Sequence, residues 1–493
     1  MWAASRLREF MPVADLAYRL TGFKKFPPNT HIFASQHLLS TVALMLESFR
    51  ERSAERIHVL GKCYSTHPDV FSYLRQRGFD VNPRSVHFDS HESHSFDYQS
   101  FYALVSPTYR AATSKANPIP YSSLLPTERL STMASIRRED KPLVVIMDDG
   151  GMLLEKVNKM LLHTPALSDG ARFMFGVEQT SSGWQRLQKY DNSGSLVLPV
   201  YNVARSFAKL KYESPLISHF TMPRVLSNIT QTRNGQKGRS AVGVSSKALI
   251  LGGGAIGMNI QAHLNETGVI EAKIFDPNLG KSSSINKNEG GQHGEDADAA
   301  EDTVTENSIF TSSTDLEPLL EESDIIIGAS GKCSLHETKL PLLKDGALLL
   351  SVSSSDRELS APSLRCNVSQ TNDWNQRFRV PLVCDKSRSN GNERRTVNLA
   401  YSGFPLTFED RCSNAGEPNE MQLTMGLLIG SVAIGVGRDT YENCSDRRTA
   451  CGLIDVDEEL QRGLIQEHIA QGIAEQVRHK YSMLIERELA RFA

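Results

Sequence analysis

Several large classes of protein are excluded by what this chain lacks. It has no long apolar run: the longest, Leu423 to Val436, is too short to span a bilayer and contains Thr424, Gly426, Gly430 and Ser431. The Gly426-x-x-x-Gly430 spacing within it is a dimer motif only in lipid, so in water it reads as a core or subunit-interface helix with close backbone packing. The N-terminus, MWAASRLREF, has basic residues but no apolar stretch of signal-peptide length, which leaves the Asn-x-Ser/Thr matches at Asn228, Asn367 and Asn443 as chance occurrences. Seven cysteines are scattered without a C-x-x-C pair, which argues against a zinc site or a disulfide framework and fits reduced thiols in the cytoplasm. No metal ligand set is expected. With a net charge of −3 there is no electrostatic case for nucleic acid or an anionic membrane surface.

The 493 residues that remain to be explained are long enough for two or three domains, and 40% hydrophobic with 23% charged residues is ordinary for a globular protein. Short apolar strands are readable at His31–Ala34, Arg56–Leu60, Ser85–Phe88 and Leu143–Met147, with amphipathic helices at Leu38–Phe49 and Asp69–Leu74 between the earlier ones. This alternation predicts a parallel, doubly wound sheet. Residues 226–246 are polar and turn-rich and read as a linker. Residues 280–305 have almost no apolar content and read as a disordered surface insertion. Strands resume at Asp324–Ile327 and Ala347–Val352, residues 385–395 look like a hairpin tip, and helical patterns dominate from Asn419 onward.

The densest local signal runs from Lys247 to Asp276. Ala248–Leu251 make a buried strand, Gly252, Gly254 and Gly257 form G-x-G-x-x-G, a helix follows with Ile256, Ile260 and Leu264 on one face, and a second strand, Ile274-Phe275, ends in Asp276. That is a dinucleotide-binding unit: the first Gly turns the chain, the second admits a pyrophosphate to the backbone, and the third lets helix and strand pack closely. Ala255 and Ile256 complete the turn. Asp276 suits a ribose 2′-hydroxyl and would repel a 2′-phosphate, so NAD is expected over NADP. A tight turn without a ligand would use the same glycines.

Three earlier segments carry chemistry. Leu143–Met147 runs into Asp148-Asp149-Gly150-Gly151, placing two carboxylates at the carboxyl end of a strand, where open parallel sheets bind ligands. An Asp-Gly turn capping a helix would look the same. Gly176 to Gly183 (GVEQTSSG) is hydroxyl-rich. Pro199 to Glu213 contains Lys209 and Glu213, spaced to meet on one helical face; a buried Lys there can act as a base, and an ordinary surface pair would have the same spacing.

In order and approximate spacing these segments resemble the S-adenosylhomocysteine hydrolase (adenosylhomocysteinase) family over about residues 30–470: DDGG at 148–151, EQTSSG at 178–183, PVYNVARSFAKLKYES at 199–214, GGGAIG at 252–257, GASG at 328–331 and VNL at 397–399. The resemblance implies an α/β fold of two doubly wound parallel-sheet domains, the second a Rossmann NAD-binding domain inserted before C-terminal helices that return to the first. The boundaries expected are 1–225 with 402–475 for the substrate domain, 226–400 for the NAD domain and 476–493 for a tail helix. It implies a homo-oligomer, a small-molecule substrate of one-carbon metabolism, and tightly held NAD that oxidises a substrate hydroxyl so that a neighbouring proton can be lost. Position by position it assigns NAD contacts to Gly252, Gly254, Ala255, Ile256, Gly257, Asp276, Thr180, Ser181, Ser182, Ser330 and Asn398. Catalytic roles fall to Asp149, Lys209, Glu213 and His37.

The family pattern is also broken. Gln179 stands for a Glu, Glu213 for an Asp, Ser214 for an Asn and Ser218 for a Cys. Ser354 and Phe404 each replace a His, Leu39 and Thr41 replace the pair that reads adenosine, and LIERELARFA lacks the closing Lys and Tyr. These losses predict a divergent NAD-dependent enzyme, hydrolase or oxidoreductase, acting on another nucleoside-like or polyol substrate. The alternatives are a catalytically reduced NAD-binding homologue that works by binding or partner assembly, and an ordinary dehydrogenase exchanging NADH with solvent.

Overall fold

The computed structural model describes residues 2–87, 101, 104–105, 137–235, 246–277, 309–310, 313–353, 356–366, 378–382, 395–408, 418–441 and 451–490. The expected insertion at 280–305 lies outside these residues, as does nearly all of the expected hairpin tip at 385–395. The chain divides into two compact units, Met1–Glu213 with Arg411–Glu475, and Ser214–Asp410 with Gln476–Ala493.

The first unit is built on β1 (Thr30–Gln36), β2 (Arg56–Gly61), β3 (Asp80–Val81), β4 (Leu143–Asp148), β5 (Phe173–Glu178), β6 (Pro199–Asn202) and β14 (Gly452–Asp455). They pair in the order β14-β6-β5-β4-β1-β2-β3, parallel throughout. A parallel sheet covered by helices on both faces needs strands that are apolar on both sides, and β4 (LVVIMD) is buried at every position. Alternate residues feed two cores: Val145, Met147 and Phe175 with the helices Pro12–Leu20 and Gln422–Tyr441, and Val144, Ile146 and Met174 with the helix Met152–His163. The third strand differs from expectation. It pairs at Asp80–Val81, while residues 83–86 form a 3-10 turn, because Pro83 has no N–H for a ladder.

The second unit holds β7 (Ser246–Leu251), β8 (Ile270–Phe275), β9 (Ile309–Phe310), β10 (Ile325–Gly328), β11 (Ala347–Ser351), β12 (Phe378–Leu382) and β13 (Arg395–Leu399). Their order is β12-β13-β11-β10-β7-β8-β9, all pairs parallel except β12 with β13. Residues 226–235, read from sequence as linker, instead continue the helix Ser214–Gly235, whose Leu226 and Ile229 are buried. Its Ser, Thr and Asn side chains bond back to the preceding turn: Asn228, Thr230 and Thr232 each donate to the carbonyl four residues earlier.

The small residues of Gln422–Tyr441 have partners within the first unit. A Cβ on Gly426 would lie 3.2 Å from Leu464 Cδ2 and from the Val13 carbonyl oxygen, and one on Gly430 would run into Leu460. Close packing inside the chain accounts for this G-x-x-x-G stripe, so it gives no reason to expect an oligomer. Gly430→Ala should therefore lower the melting temperature, overpacking costing about 1–3 kcal/mol. Gly437→Ala, where an added Cβ meets nothing within 4 Å, should leave it unchanged or raise it. Equal shifts in calorimetry would remove the packing explanation.

Candidate functional site

Each sheet reverses its winding direction once. From β1 the chain winds out through β2 and β3, and from β4 it winds the other way through β5, β6 and β14. The crevice beyond the carboxyl ends of β1 and β4 is the topological switch point, where such sheets bind ligands. His37 follows β1 and Asp149 follows β4. The Asp149 N–H donates to the Ser35 carbonyl at 3.0 Å, extending the β1–β4 ladder, and His37 Nε2 lies 3.2 Å from Asp149 Oδ2.

Gly150 and Gly151, at φ +114° and +69°, then turn the chain into the helix Met152–His163. The left-handed backbone at Gly151 favours glycine, and a Cβ there would sit 2.7 Å from Gly183 Cα, so the DDGG turn lies directly against the TSSG turn. Thr180 caps the helix Ser181–Asn192 by accepting from the Gly183 N–H at 3.0 Å, and its hydroxyl donates to Glu178 at 2.6 Å.

Sequence reasoning missed Lys62. It follows β2, is fully buried, and its ammonium donates to Asp149 Oδ1. The available signal was position: Lys62 ends an apolar parallel strand at the same edge of the sheet as His37. Gln179 Nε2 donates to Asp149 Oδ2, so both oxygens of Asp149 are engaged. Burial alone would raise the Asp149 carboxyl, but the charges of His37 and Lys62 and their hydrogen bonds hold it far below the usual carboxylate range. Burial also lowers His37, partly offset by Asp149. Lys62 and His37 thus face the two oxygens of Asp149 from neighbouring strands. An acceptor-only carboxylate assigns a proton to Nε2 of His37, and Nδ1 shares a hydrogen bond with the Ser65 hydroxyl at 2.5 Å. Asp149, expected among the catalytic residues, has both of its oxygens engaged by Lys62, Gln179 and His37.

On the adjoining strand positions, Asp148 and Glu178 pair directly across β4 and β5. Asp148 Oδ2 accepts from the Leu154 N–H at 2.9 Å; Glu178 Oε1 accepts from the N–H groups of Thr180 (2.8 Å) and Gly150 (3.2 Å). Burial pushes Asp148 up to about 6, and burial followed by the Asp148 charge pushes Glu178 well above its ordinary value. A buried pair of this kind holds a proton that neither group would hold in water.

Lys209 and Glu213 lie in a π-helical turn, Lys209–Glu213, ahead of the helix Ser214–Gly235. Single π turns are rare and frequent at functional sites. Lys209 Nζ donates to Glu213 Oε1 at 3.0 Å and lies 3.4 Å from Thr424 Oγ1. The second Glu213 oxygen is buried with no hydrogen-bond partner among the described residues. The structure brings His37, Lys62 and Asp149 together at one edge, and Lys209 bonds instead with Glu213 and Thr424.

In the second unit the switch point falls between β7 and β10, and the glycine turn occupies it. Leu251, Gly328 and Ser351 mark the carboxyl edge in register. A Cβ on Gly252 (φ +125°) would lie 2.7 Å from Ser330 Cα, and one on Gly257 would strike the Gly252 carbonyl oxygen. Gly254 and Ala255 are exposed, and among the described residues nothing lies within 4 Å of a Cβ added at Gly254. Asp276 Oδ2 accepts from the Gly253 N–H at 2.8 Å, fastening the acid beneath the turn.

Ser330 joins this group, but Asn398 does not. Asn398 pairs with Leu348 near the amino end of β11, and its amide donates to the Gly346 carbonyl at 2.9 Å, away from the edge where the glycine turn lies. Phe404, in place of the second His, is a core residue, fully buried with the Arg365 guanidinium 4.9 Å from its ring centre. Among the described residues no cluster of His, Cys, Asp or Glu could hold a metal, and no helix is long and apolar enough to cross a membrane.

No family model matches the chain. Two Mycobacterium tuberculosis proteins, uncharacterized protein MT0113 of strain CDC 1551 / Oshkosh and uncharacterized protein Rv0104 of strain ATCC 25618 / H37Rv, are each 31% identical over 430 residues, covering 86% of this chain and 67% of their own length. The chain belongs to the family of these two proteins. Similarity to solved structures is weak. A 2-hydroxyacid dehydrogenase from Ketogulonicigenium vulgare Y25 is 9% identical with a TM-score of 0.34, over 83% of this chain and 96% of that one. A glyoxylate reductase from Paecilomyes thermophila is 13% identical with a TM-score of 0.29, over 66% and 91%. Scores this low carry no conclusion about function.

Two outcomes follow from the first site. Lys62→Met should strand a buried carboxylate and cost about 3–5 kcal/mol in urea unfolding. Adding Asp149→Asn should restore most of that; a double variant as unstable as the single would show that the charge pair is not what Lys62 contributes. Asp148 rises from an ordinary value of 3.8 to about 6, so its stabilising contribution is full below about pH 4 and is lost as pH climbs through about 6. Asp148→Asn should flatten the decline in unfolding free energy over that window, and an unchanged slope would place the proton elsewhere.

Proposed function

We propose that this chain binds NAD on the Gly252–Gly257 turn and oxidises a hydroxyl of a nucleoside-like or other polyol substrate, on an adenosylhomocysteinase-like scaffold that does not perform the standard hydrolysis of S-adenosylhomocysteine. Gly254 carries this reading. Packing within the protein explains why Gly252 and Gly257 lack side chains, but nothing among the described residues requires a glycine at 254. A pyrophosphate lying on that backbone does require it. The first turn of Ala255–Glu266, exposed at Ala255, offers N–H donors and the positive end of the helix dipole to the same group. Asp276 places a negative charge where a ribose 2′-hydroxyl would be welcome and a 2′-phosphate would not, which favours NAD over NADP.

Bound NAD would supply the hydride acceptor for hydroxyl oxidation. The chain's own part is to move the proton. Glu213 Oε2, buried and without a partner among the described residues, is the oxygen left for a substrate hydroxyl, and Lys209, held to Glu213 Oε1, steadies the charge that develops on the substrate oxygen. Asp149, held by Lys62, Gln179 and His37, orients the site. A second reading, an NAD-binding homologue that acts by binding or partner assembly, is favoured by that same engagement of both Asp149 oxygens, which leaves the carboxylate unavailable for proton transfer.

Denaturing the purified protein and assaying the supernatant for NAD(H) separates these readings. Stoichiometric NAD that becomes reduced when nucleosides or polyols are added supports hydroxyl oxidation. Bound NAD that no such compound reduces supports the second reading, and absence of bound or bindable NAD(H) retires both. Lys209→Ala should leave NAD bound and slow its reduction by about 10²- to 10⁴-fold; an unchanged rate would remove Lys209 from the mechanism.

A further inference from the structure

A fully buried carboxylate, Glu358, stands behind the Ser330–Gly331 turn and is used by none of the chemistry above. Its Oε1 accepts from the Gly331 N–H and from the Ser353 hydroxyl at 2.5 Å. Its Oε2 accepts from the hydroxyls of Ser330 at 3.0 Å and Ser334 at 2.7 Å. The Glu358 carbonyl takes the N–H groups of Ser334 and Leu335, each at 3.0 Å, so side chain and backbone hold the same loop. Burial pushes the Glu358 carboxyl up, and the bonds from Ser334, Ser353, Gly331 and Ser330 pull against it.

Burying a carboxylate is costly unless donors surround it, and here four donors converge on two oxygens. The turn they fasten is the wall of the glycine turn: a Cβ on Gly252 would lie 2.7 Å from Ser330 N, from Ser330 Cα and from the Ala329 carbonyl carbon. Glycine at the end of β10 is part of the same arrangement, because a Cβ on Gly328 would lie 2.9 Å from Glu358 Cβ. A wall this close leaves the glycine turn little freedom, so whatever holds Ser330 and Gly331 also sets the space open to a dinucleotide.

We propose that Glu358 is a positioning residue for the dinucleotide: by holding Ser330, Gly331, Ser334 and Ser353 together it keeps the wall of the Gly252 turn at the separation that admits a pyrophosphate. This rests on the NAD reading above. Glu358 does not touch the cofactor. It acts through the turn, so its loss weakens binding without removing any group that contacts NAD.

The test is a fluorescence titration of the full chain with NADH, well below the melting temperature of every variant compared. Glu358→Gln keeps the shape but offers an amide nitrogen to donors, and it should weaken NADH binding by about tenfold or more while unfolding remains cooperative. Gly328→Ala keeps the carboxylate but crowds it with a methyl group; it should weaken binding in the same direction, and the double variant should lose less than the product of the two effects. A purely structural role for Glu358 would lower the melting temperature and leave the dissociation constant unchanged, which overturns the proposal. If Glu358→Gln fails to fold, Gly328→Ala decides: unchanged affinity there also overturns it. Wild-type protein that binds no NADH fails the NAD reading itself, whereas wild-type binding with unaffected variants fails only the role of Glu358.

Discussion

Parallel pairing is the constraint on which everything else depends. A strand that is to pair in parallel must be reached by a crossover, crossovers are right-handed, and a sheet wound outward in both directions therefore has one place where neighbouring strands send their connections apart. In the first unit that place lies between β1 and β4, and in the second between β7 and β10. The strands are mostly apolar in their interior, with the charged groups Asp148 and Glu178 standing at their carboxyl ends. Their order brings residues distant in sequence, His37 with Asp149 and Gly252 with Ser330, to the open end of a crevice.

The two crevices are furnished differently. That of the first unit is ionic and buried: Lys62, Asp149, His37 and Gln179 interlock, with the carboxyls of Asp148 and Glu178 packed in behind. Such a group is expensive to desolvate and tolerates the loss of any one member poorly, because the remainder is left unsatisfied. That of the second unit is made of backbone. Its glycines present N–H groups and little else, and the acid Asp276 is tied to the turn it supports. A site of charges suits chemistry on a polar substrate, and a site of bare backbone suits the anionic spine of a dinucleotide.

Much of this was legible in sequence where the signal was local. The strand–turn–helix–strand unit from Lys247 to Asp276 was readable because its period, its glycines and its acid all fall within thirty residues. Lys209 and Glu213 were readable as a pair because four residues separate them, although the π turn that carries them was not. Lys62 was not recognised, since a lone lysine after an apolar strand acquires meaning only when β2 is placed beside β1. Glu358 was invisible for the same reason: its donors come from Ser330, Gly331, Ser334 and Ser353, spread over two loops. Asn398 illustrates the opposite error. A three-residue match placed it near a cofactor, and strand register placed its amide on the Gly346 carbonyl instead.

The amino-acid sequence by itself determined the class of fold and the Gly252 turn, because hydrophobic period and glycine spacing act over a few residues and need no distant partner. Only the tertiary structure decided what the charged groups do. The partner that holds Asp149 is a lysine eighty-seven positions away. Whether the Gly426-x-x-x-Gly430 stripe faces another molecule or its own chain depends on Leu460 and Leu464. Electrostatics and close packing are set by what lies across space, and that is fixed by strand order, which no local pattern records.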